Sequence, residues 1–256
     1  MKAVILAGGK GTRISEESLL KPKPMITIGE KPILWHIMKT YAKYGVNEFI
    51  ICGGYKQYVI KEYFNNYALY NSDITFDFQT GERIVHHNVS ENWKVTVVDT
   101  GMDTMTGGRI KRIRPFVGDE PFFLTYGDGV SDVNIDELYK HHKEMGGYVT
   151  LTAVRPTGRF GLVTIADNTS ISTFAEKKVG EREWINGGYF VLEKEIFDFI
   201  DGDATTWERE PLENIARAGK LFAYKHDGFW KPMDTMRDRM ELEALWESGN
   251  APWKVW

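Results

Sequence analysis

Three glycines stand close together in Leu6-Ala7-Gly8-Gly9-Lys10-Gly11-Thr12-Arg13. Lacking Cβ atoms, Gly8, Gly9 and Gly11 let backbone N–H groups approach a phosphate or a base closely, and Arg13 adds a forked cation suited to phosphate oxygens. Glycines alone would also make a plain turn. Two familiar nucleotide loops do not fit: GxGxxG needs glycine where Ile14 stands, and a loop of the Gly-Lys-Ser/Thr kind fails because Thr12 and Arg13 follow Gly11. Farther along, Lys21-Pro22-Lys23-Pro24-Met25 sets a lysine between two prolines. Their fixed φ stiffens the backbone, so Lys23 can be aimed at a phosphate, although an extended Lys-Pro stretch can equally be a solvated linker.

Such residues need a frame to position them. Residues 3–6, 49–52, 122–126 and 149–154 are short β-branched or aromatic runs and read as strands. Between the first two, Leu34, Ile37, Met38 and Tyr41 recur at helical spacing after Pro32, and Gly45 supplies a stop. Helices over about 57–64 and 135–145 continue the alternation, which predicts an α/β fold with a doubly wound, mostly parallel sheet. The glycine loop follows the first strand directly, at the carboxyl end where such sheets open their ligand crevice. In the last third, residues 160–165, 171–174 and 185–192 form strand-like pieces broken by Gly and Asn, which predicts a small added β region over one end of the sheet. No repeat or linker divides the chain, so residues 1–256 read as a single domain.

Composition narrows the partners. With 256 residues, 42% of them hydrophobic, the chain can bury one large core. A net charge of -4 gives no basic field for a polynucleotide, so nucleic acid is not expected and a small anionic substrate must be held by a few local cations. The single cysteine, Cys52, lies in an apolar run and cannot form an internal disulfide, which suits a reducing compartment. The apolar run at Met1 to Ala7 is short for a signal peptide, and no stretch approaches the ~20 apolar residues of a membrane span. A cytoplasmic location without a membrane partner is the expectation.

Together, Leu6-Ala7-Gly8-Gly9-x-Gly11-Thr12-Arg13 and Pro22-Lys23-Pro24 resemble the signature of the sugar-phosphate nucleotidylyltransferases. Three separated places extend the resemblance. Tyr126-Gly127-Asp128-Gly129 ends a strand where the family carries a magnesium-binding aspartate; an Asp beside glycines could otherwise be a turn former. Phe174-Ala175-Glu176-Lys177 looks like the family's pair in which Glu176 accepts sugar hydroxyls and Lys177 holds the sugar phosphate, though Glu-Lys is commonplace on a surface strand. Asn186-Gly187-Gly188 resembles the family's sugar-binding turn, and two glycines in a strand can equally mark a bulge. Within the family, residues 21–25, 29–38 and 230–235 and the total length look like the cytidylyltransferase branch that acts on glucose 1-phosphate. Thr106-Gly107-Gly108-Arg109 fits that branch's nucleotide segment, with Thr106 beside the nucleotide and Arg109 on the triphosphate or base. One departure is Ser15-Glu16-Glu17-Ser18, which replaces a proline-threonine stretch of many uridylyl and thymidylyl relatives. Cytosine is thus implied by resemblance and not by residue chemistry.

The resemblance implies the nucleotide-diphospho-sugar transferase fold, with the N-terminal half mainly binding nucleotide and the C-terminal half mainly binding sugar phosphate. It implies transfer of CMP from CTP to α-D-glucose 1-phosphate with Mg²⁺, giving CDP-glucose for surface polysaccharide (O-antigen) synthesis. Leu6, Ala7, Gly8, Gly9, Gly11, Thr12, Thr106, Arg109 and Gly127 would surround the nucleotide. Arg13 would hold the departing phosphates, Lys23 the α-phosphate, Lys177 the incoming sugar phosphate, and Asp128 and Asp234 the metal. Asp234 has a local alternative, because Asp beside Thr235 ahead of the helical pattern Met236, Met240, Leu242, Leu245 is an ordinary capping pair. The acceptor is already an anion, so no general base is required, in keeping with the lack of a recognisable Ser-His-Asp or Cys-His set. The same chemistry with UTP or dTTP and a non-catalytic nucleotide-sensing subunit are the competing readings. Adjacent histidines at His86-His87 and His141-His142 point in different directions and make no metal site by themselves. The apolar tail with Trp246, Trp253 and Trp256 can pack on its own core or on a neighbour, aromatic enrichment at interfaces favouring the neighbour slightly; with the long segment 67–104 it predicts surface for a homo-oligomer, a trimer or hexamer as in the resembling enzymes.

Overall fold

The computed structural model describes residues 1–9, 11, 20–88, 91–155, 161–165, 171–176 and 184–256, and only the backbone of 87–88, 161–165 and 171–176. Thr12, Arg13, Lys177 and the side chain of Glu176 therefore lie outside the described residues.

Seven strands make the central sheet: β1 (Lys2–Ala7), β2 (Glu48–Gly53), β3 (Lys94–Asp99), β4 (Phe122–Tyr126), β5 (Val149–Val154), β6 (Ile185–Leu192) and β7 (Leu221–His226). Their order is β7-β5-β6-β4-β1-β2-β3. β1 runs parallel to both β2 and β4, β2 to β3, and β5 to β7. Residues 3–7 of β1 are all buried because helices cover both faces of a parallel sheet. The pleat sorts them: Ala3, Ile5 and Ala7 join the layer of helix α1 (Ile33–Lys43), while Val4 and Leu6 join the opposite layer with Ile110, Ile113 and Trp207. Helices α2 (Gln57–Asn65), α3 (Thr106–Arg112), α4 (Ile135–Met145), α5 (Glu210–Arg217) and α6 (Met236–Glu247) follow in order. No described helix is long and apolar enough to cross a membrane.

Two expectations are corrected. Ile185–Leu192 is not part of an added β region; it lies inside the central sheet, antiparallel to β4 and β5. Residues 187–192 are all buried, as a strand with neighbours on both sides must be, and its two glycines hid that in the sequence. Of the three pieces, Gly161–Ile165 and Ile171–Glu176 do pair apart from it as an antiparallel ribbon. The tryptophan tail, expected to favour a neighbouring molecule, packs on its own core. Trp253 is fully buried, and its ring lies 6.4 Å from that of Trp246 and 5.6 Å from that of Phe229.

That tail closes over His36, which is fully buried on α1. Its Nε2 lies 2.9 Å from the carbonyl oxygen of Ile28, and its Nδ1 accepts from Trp253 Nε1 at 3.3 Å. One ring nitrogen thus donates and the other accepts, the pattern of a neutral imidazole. Burial pushes the His36 pKa down to about 4, against a small opposing effect of backbone hydrogen bonds. Because the folded pKa lies below the unfolded value, the unfolded chain binds the proton first as pH falls. Stability is full above about pH 6.5 and declines toward pH 4, by about 3 kcal/mol from this residue. Denaturant melts of the wild type and of His36→Gln between pH 7 and pH 4 check this: the variant should lose the corresponding part of the acid slope, and equal slopes would contradict it.

Candidate active site

β1 has a parallel neighbour on each side, and the chain leaves it toward β2 and β3 before returning to β4 on the other flank. At that reversal the loops after β1 and β4 part and leave a crevice at their carboxyl ends. A cavity of ≈ 570 Å³ opens there, walled by the 6–9 loop with Gly11, and by Lys23, Thr106, Arg109, Gly127 and Asp128. Asn186, Gly187, Gly188 and Asp234 close it. Every predicted site residue whose side chain is described reaches this one cavity.

The glycine loop is held from behind. Arg109, 5% exposed, donates from Nη2 to the carbonyls of Gly8 (3.1 Å) and Met102 (3.3 Å). From Nη1 it donates to Thr100 Oγ1 (2.8 Å), Gly101 O (2.7 Å) and Gly53 O (3.3 Å). It lines the crevice as expected, but these bonds make it a brace between the β1, β2 and β3 loops, a role the sequence did not reveal. A Cβ on Gly8 would run into the Arg109 guanidinium, so the brace requires a glycine at this position.

Lys23 lies at the start of a short 3₁₀ turn, Lys23–Met25, entered from the extended Pro22 (ψ 150). Its ammonium is 2.6 Å from Asp128 Oδ2 and 2.8 Å from Asp234 Oδ1. A short ribbon, Gly129–Ser131 against Trp230–Pro232, sets the two carboxylates together, and Met233 N donates to Asp128 O at 2.8 Å. Thr235 is the N-cap of α6, accepting from Asp238 N at 3.2 Å, and Asp238 Oδ2 accepts from the N–H groups of Asp234 (3.1 Å) and Thr235 (2.9 Å). Thr235 and Asp238 do the capping, so the Asp234 carboxylate faces Lys23. Burial opposes the charge on Lys23, yet Asp128 and Asp234 outweigh it and hold its pKa above the usual lysine value. The two carboxylates beside Lys23 bring hard oxygen donors together, a set that fits a divalent cation such as Mg²⁺.

On the opposite wall, Gly188 takes φ +80 and donates its N–H to Asn186 Oδ1 at 2.8 Å. A Cβ there would lie 2.5 Å from the Tyr126 ring. Trp230 Nε1 donates to Gly187 O at 2.6 Å. The pairing of β5 with β6 also shifts register at this point, so the turn and the bulge anticipated for these glycines are one feature. Thr104, Tyr126 and Trp230 also line the cavity and were missed; Tyr126 and Trp230 at least lay inside motifs already singled out. Ser131, Asp132 and His226 come together as well, without forming a hydrolytic triad. Ser131 Oγ and Asp132 Oδ1 both face the same ring nitrogen, Nε2, and the serine proton goes to Phe229 O at 2.7 Å. Among the described residues no three His, Cys, Asp or Glu side chains gather in a way that could hold a metal ion by themselves.

The nucleotidyl transferase family model matches residues 2–236. The chain belongs to the nucleotidyl transferase family. This transferase is 56% identical to the glucose-1-phosphate cytidylyltransferase of Salmonella typhimurium and 46% identical to a probable glucose-1-phosphate cytidylyltransferase of Bacillus subtilis, over the whole of each chain. Among solved structures it resembles HddC from Yersinia pseudotuberculosis (22% identity, TM-score 0.69, 96% of this chain and 99% of that one). It also resembles a UDP-glucose pyrophosphorylase complexed with UDP-glucose (16% identity, TM-score 0.70, 97% and 98%). At those identities the structural likeness speaks for the fold, the nucleotide-diphospho-sugar transferase arrangement of a mostly parallel sheet flanked by helices.

Proposed function

We propose that this nucleotidyl transferase moves CMP from CTP onto α-D-glucose 1-phosphate, releasing pyrophosphate and leaving CDP-glucose. The observation that carries the reaction type is the junction of Lys23, Asp128 and Asp234 inside a crevice lined by a braced glycine loop. The choice of substrates is supported by full-length likeness to the Salmonella typhimurium cytidylyltransferase.

Both substrates are anions, so catalysis consists of bringing them together and placing them in line. A sugar-phosphate oxygen forms its bond to the α-phosphorus as the bond to the β-phosphate oxygen breaks, and that electron pair leaves with pyrophosphate. The acceptor carries no proton that must be removed, so no general base is needed. Asp128 and Asp234 would hold Mg²⁺, which when bound spreads the phosphate charge and fixes the phosphates. Lys23 then exchanges its carboxylate partners for an α-phosphate oxygen and stabilises the charge that builds there. The backbone of Gly8, Gly9 and Gly11 lies against the nucleotide, with Arg13 on the leaving phosphates. Asn186 to Gly188, Glu176 and Lys177 receive the sugar phosphate. The N-terminal half thus mainly serves the nucleotide and the C-terminal half the sugar. A cytoplasmic setting is part of the same proposal, since the lone buried Cys52 suits a reducing compartment.

CTP with α-D-glucose 1-phosphate is expected to be the best pair when pyrophosphate release is measured over a matrix of triphosphates and sugar 1-phosphates. Turnover with UTP or dTTP at or above that with CTP would overturn the cytidylyl assignment and leave the reaction type standing.

We also propose a homo-oligomer, a trimer or hexamer. The hairpin of Ser72–Phe76 and Arg83–Asn88 exposes Phe76, Phe78, Ile84 and Val85, with Phe78 95% exposed, an apolar surface of the kind that marks an interface. Light scattering should give a multiple of the 29.4 kDa chain mass, and a monomer at working concentration would contradict it.

A further inference from the structure

Glu208 belongs to no motif, stands on the surface, and lies in the loop before α5. A glutamate there would ordinarily be hydrated. Instead each carboxylate oxygen accepts a hydroxyl from a different wall of the crevice: Oε2 from Thr106 Oγ1 and Oε1 from Tyr126 Oη, both at 2.6 Å. That length is typical of hydrogen bonds to an ionised carboxylate. Burial first, then the Glu208 charge, push the Tyr126 pKa far up, so its hydroxyl remains a donor.

Both ends of the bridge are connected further. Thr106 begins α3, which carries the Arg109 brace, and its Oγ1 also accepts from Trp207 N at 2.9 Å. Trp207 is fully buried and anchors the loop, while Thr205 O accepts from Gly107 N at 2.9 Å. On the other wall, Tyr126 packs against Gly188, and its hydroxyl oxygen receives Asn186 Nδ2 at 3.4 Å. The connected groups run from the Gly8 loop through Arg109, Thr106, Glu208 and Tyr126 to the Asn186 turn. α3 keeps its backbone bonds to residues 203 and 205 without Glu208, whereas among the described residues the Tyr126 hydroxyl would retain only the long contact to Asn186.

We infer that Glu208 is a positioning residue that fixes the sugar wall of the crevice against its nucleotide wall through the Thr106 and Tyr126 hydroxyls. The inference rests on the crevice holding both substrates. Its loss should therefore act mainly on the sugar phosphate. For Glu208→Ala the KM for α-D-glucose 1-phosphate should rise about tenfold, the size expected when a charged hydrogen bond is lost, with the KM for CTP and kcat changed less than about threefold. Tyr126→Phe should reproduce the rise, and the double variant should be no worse than Glu208→Ala alone, because both changes remove the same Tyr126–Glu208 bond. Glu208→Gln, which keeps the reach and one acceptor, should restore part of the loss. An unchanged sugar-phosphate KM in a folded Glu208→Ala enzyme, or additive effects in the double variant, would overturn the inference. So would equal changes in both KM values, or a change confined to the melting temperature, either of which marks a merely structural bond. If the wild type released no pyrophosphate with any pair, the substrate reading itself would have failed and this inference with it.

Discussion

The contact on which the site depends is one ammonium held by two carboxylates. Lys23 meets Asp128 and Asp234 across 105 and 211 positions of chain, so three distant segments must arrive together. Each arrival has its own cause. Prolines stiffen the turn that carries Lys23, the strand β4 delivers Asp128 at its carboxyl end, and the 129–131/230–232 ribbon draws Asp234 beside it. With side chains 12% to 34% exposed, the cluster is too dry for the charges to be indifferent to one another. Removing the lysine takes away the ammonium that both carboxylates share, which is costly in a partly buried site. The folded chain thus keeps a cation-shaped requirement at the point where polyphosphate charge has to be handled.

The remainder of the crevice is preorganised by hydrogen bonds that never need to touch a substrate. Arg109 spends its donors on the carbonyls of three loops, which fixes the glycine loop before any ligand comes. Asp238 secures the backbone of Asp234 and Thr235 at the start of α6, so a helix cap also orients a carboxylate. Bonds of this kind lower the cost of ordering the site when substrates bind.

Legibility in the sequence followed burial and motif. The β1, β2, β4 and β5 runs were clear because strands covered on both faces are apolar throughout, and α1 and α4 because their periodicity was unbroken. β6 was misplaced because Gly187 and Gly188 interrupt a strand that the site requires to bulge. The tryptophan tail was turned outward since aromatic residues suit a core and an interface alike; only the tertiary position of His36 decides between them. At Asp234 local sequence favoured capping and the resemblance favoured a ligand, and the structure divides the roles between neighbours. Arg109 was recognised as a site residue but not as a brace, because its partners are backbone carbonyls that leave no trace in side-chain chemistry. Glu208 was invisible for a related reason: a surface glutamate is unremarkable until its two hydroxyl partners are seen. Thr12, Arg13 and Lys177, read from motif alone, lie outside the described residues.

On the proposed reading Asp234 supplies a negatively charged metal ligand to the site, the capping being left to Thr235 and Asp238. The most direct measurement is the magnesium dependence of pyrophosphate release in Asp234→Asn, since asparagine keeps the shape and hydrogen-bonding capacity but removes the charge. The variant should fold and need at least about ten times more Mg²⁺ for half its maximal rate, as loss of one charged ligand would cause. A folded variant with wild-type turnover at limiting Mg²⁺ would contradict it.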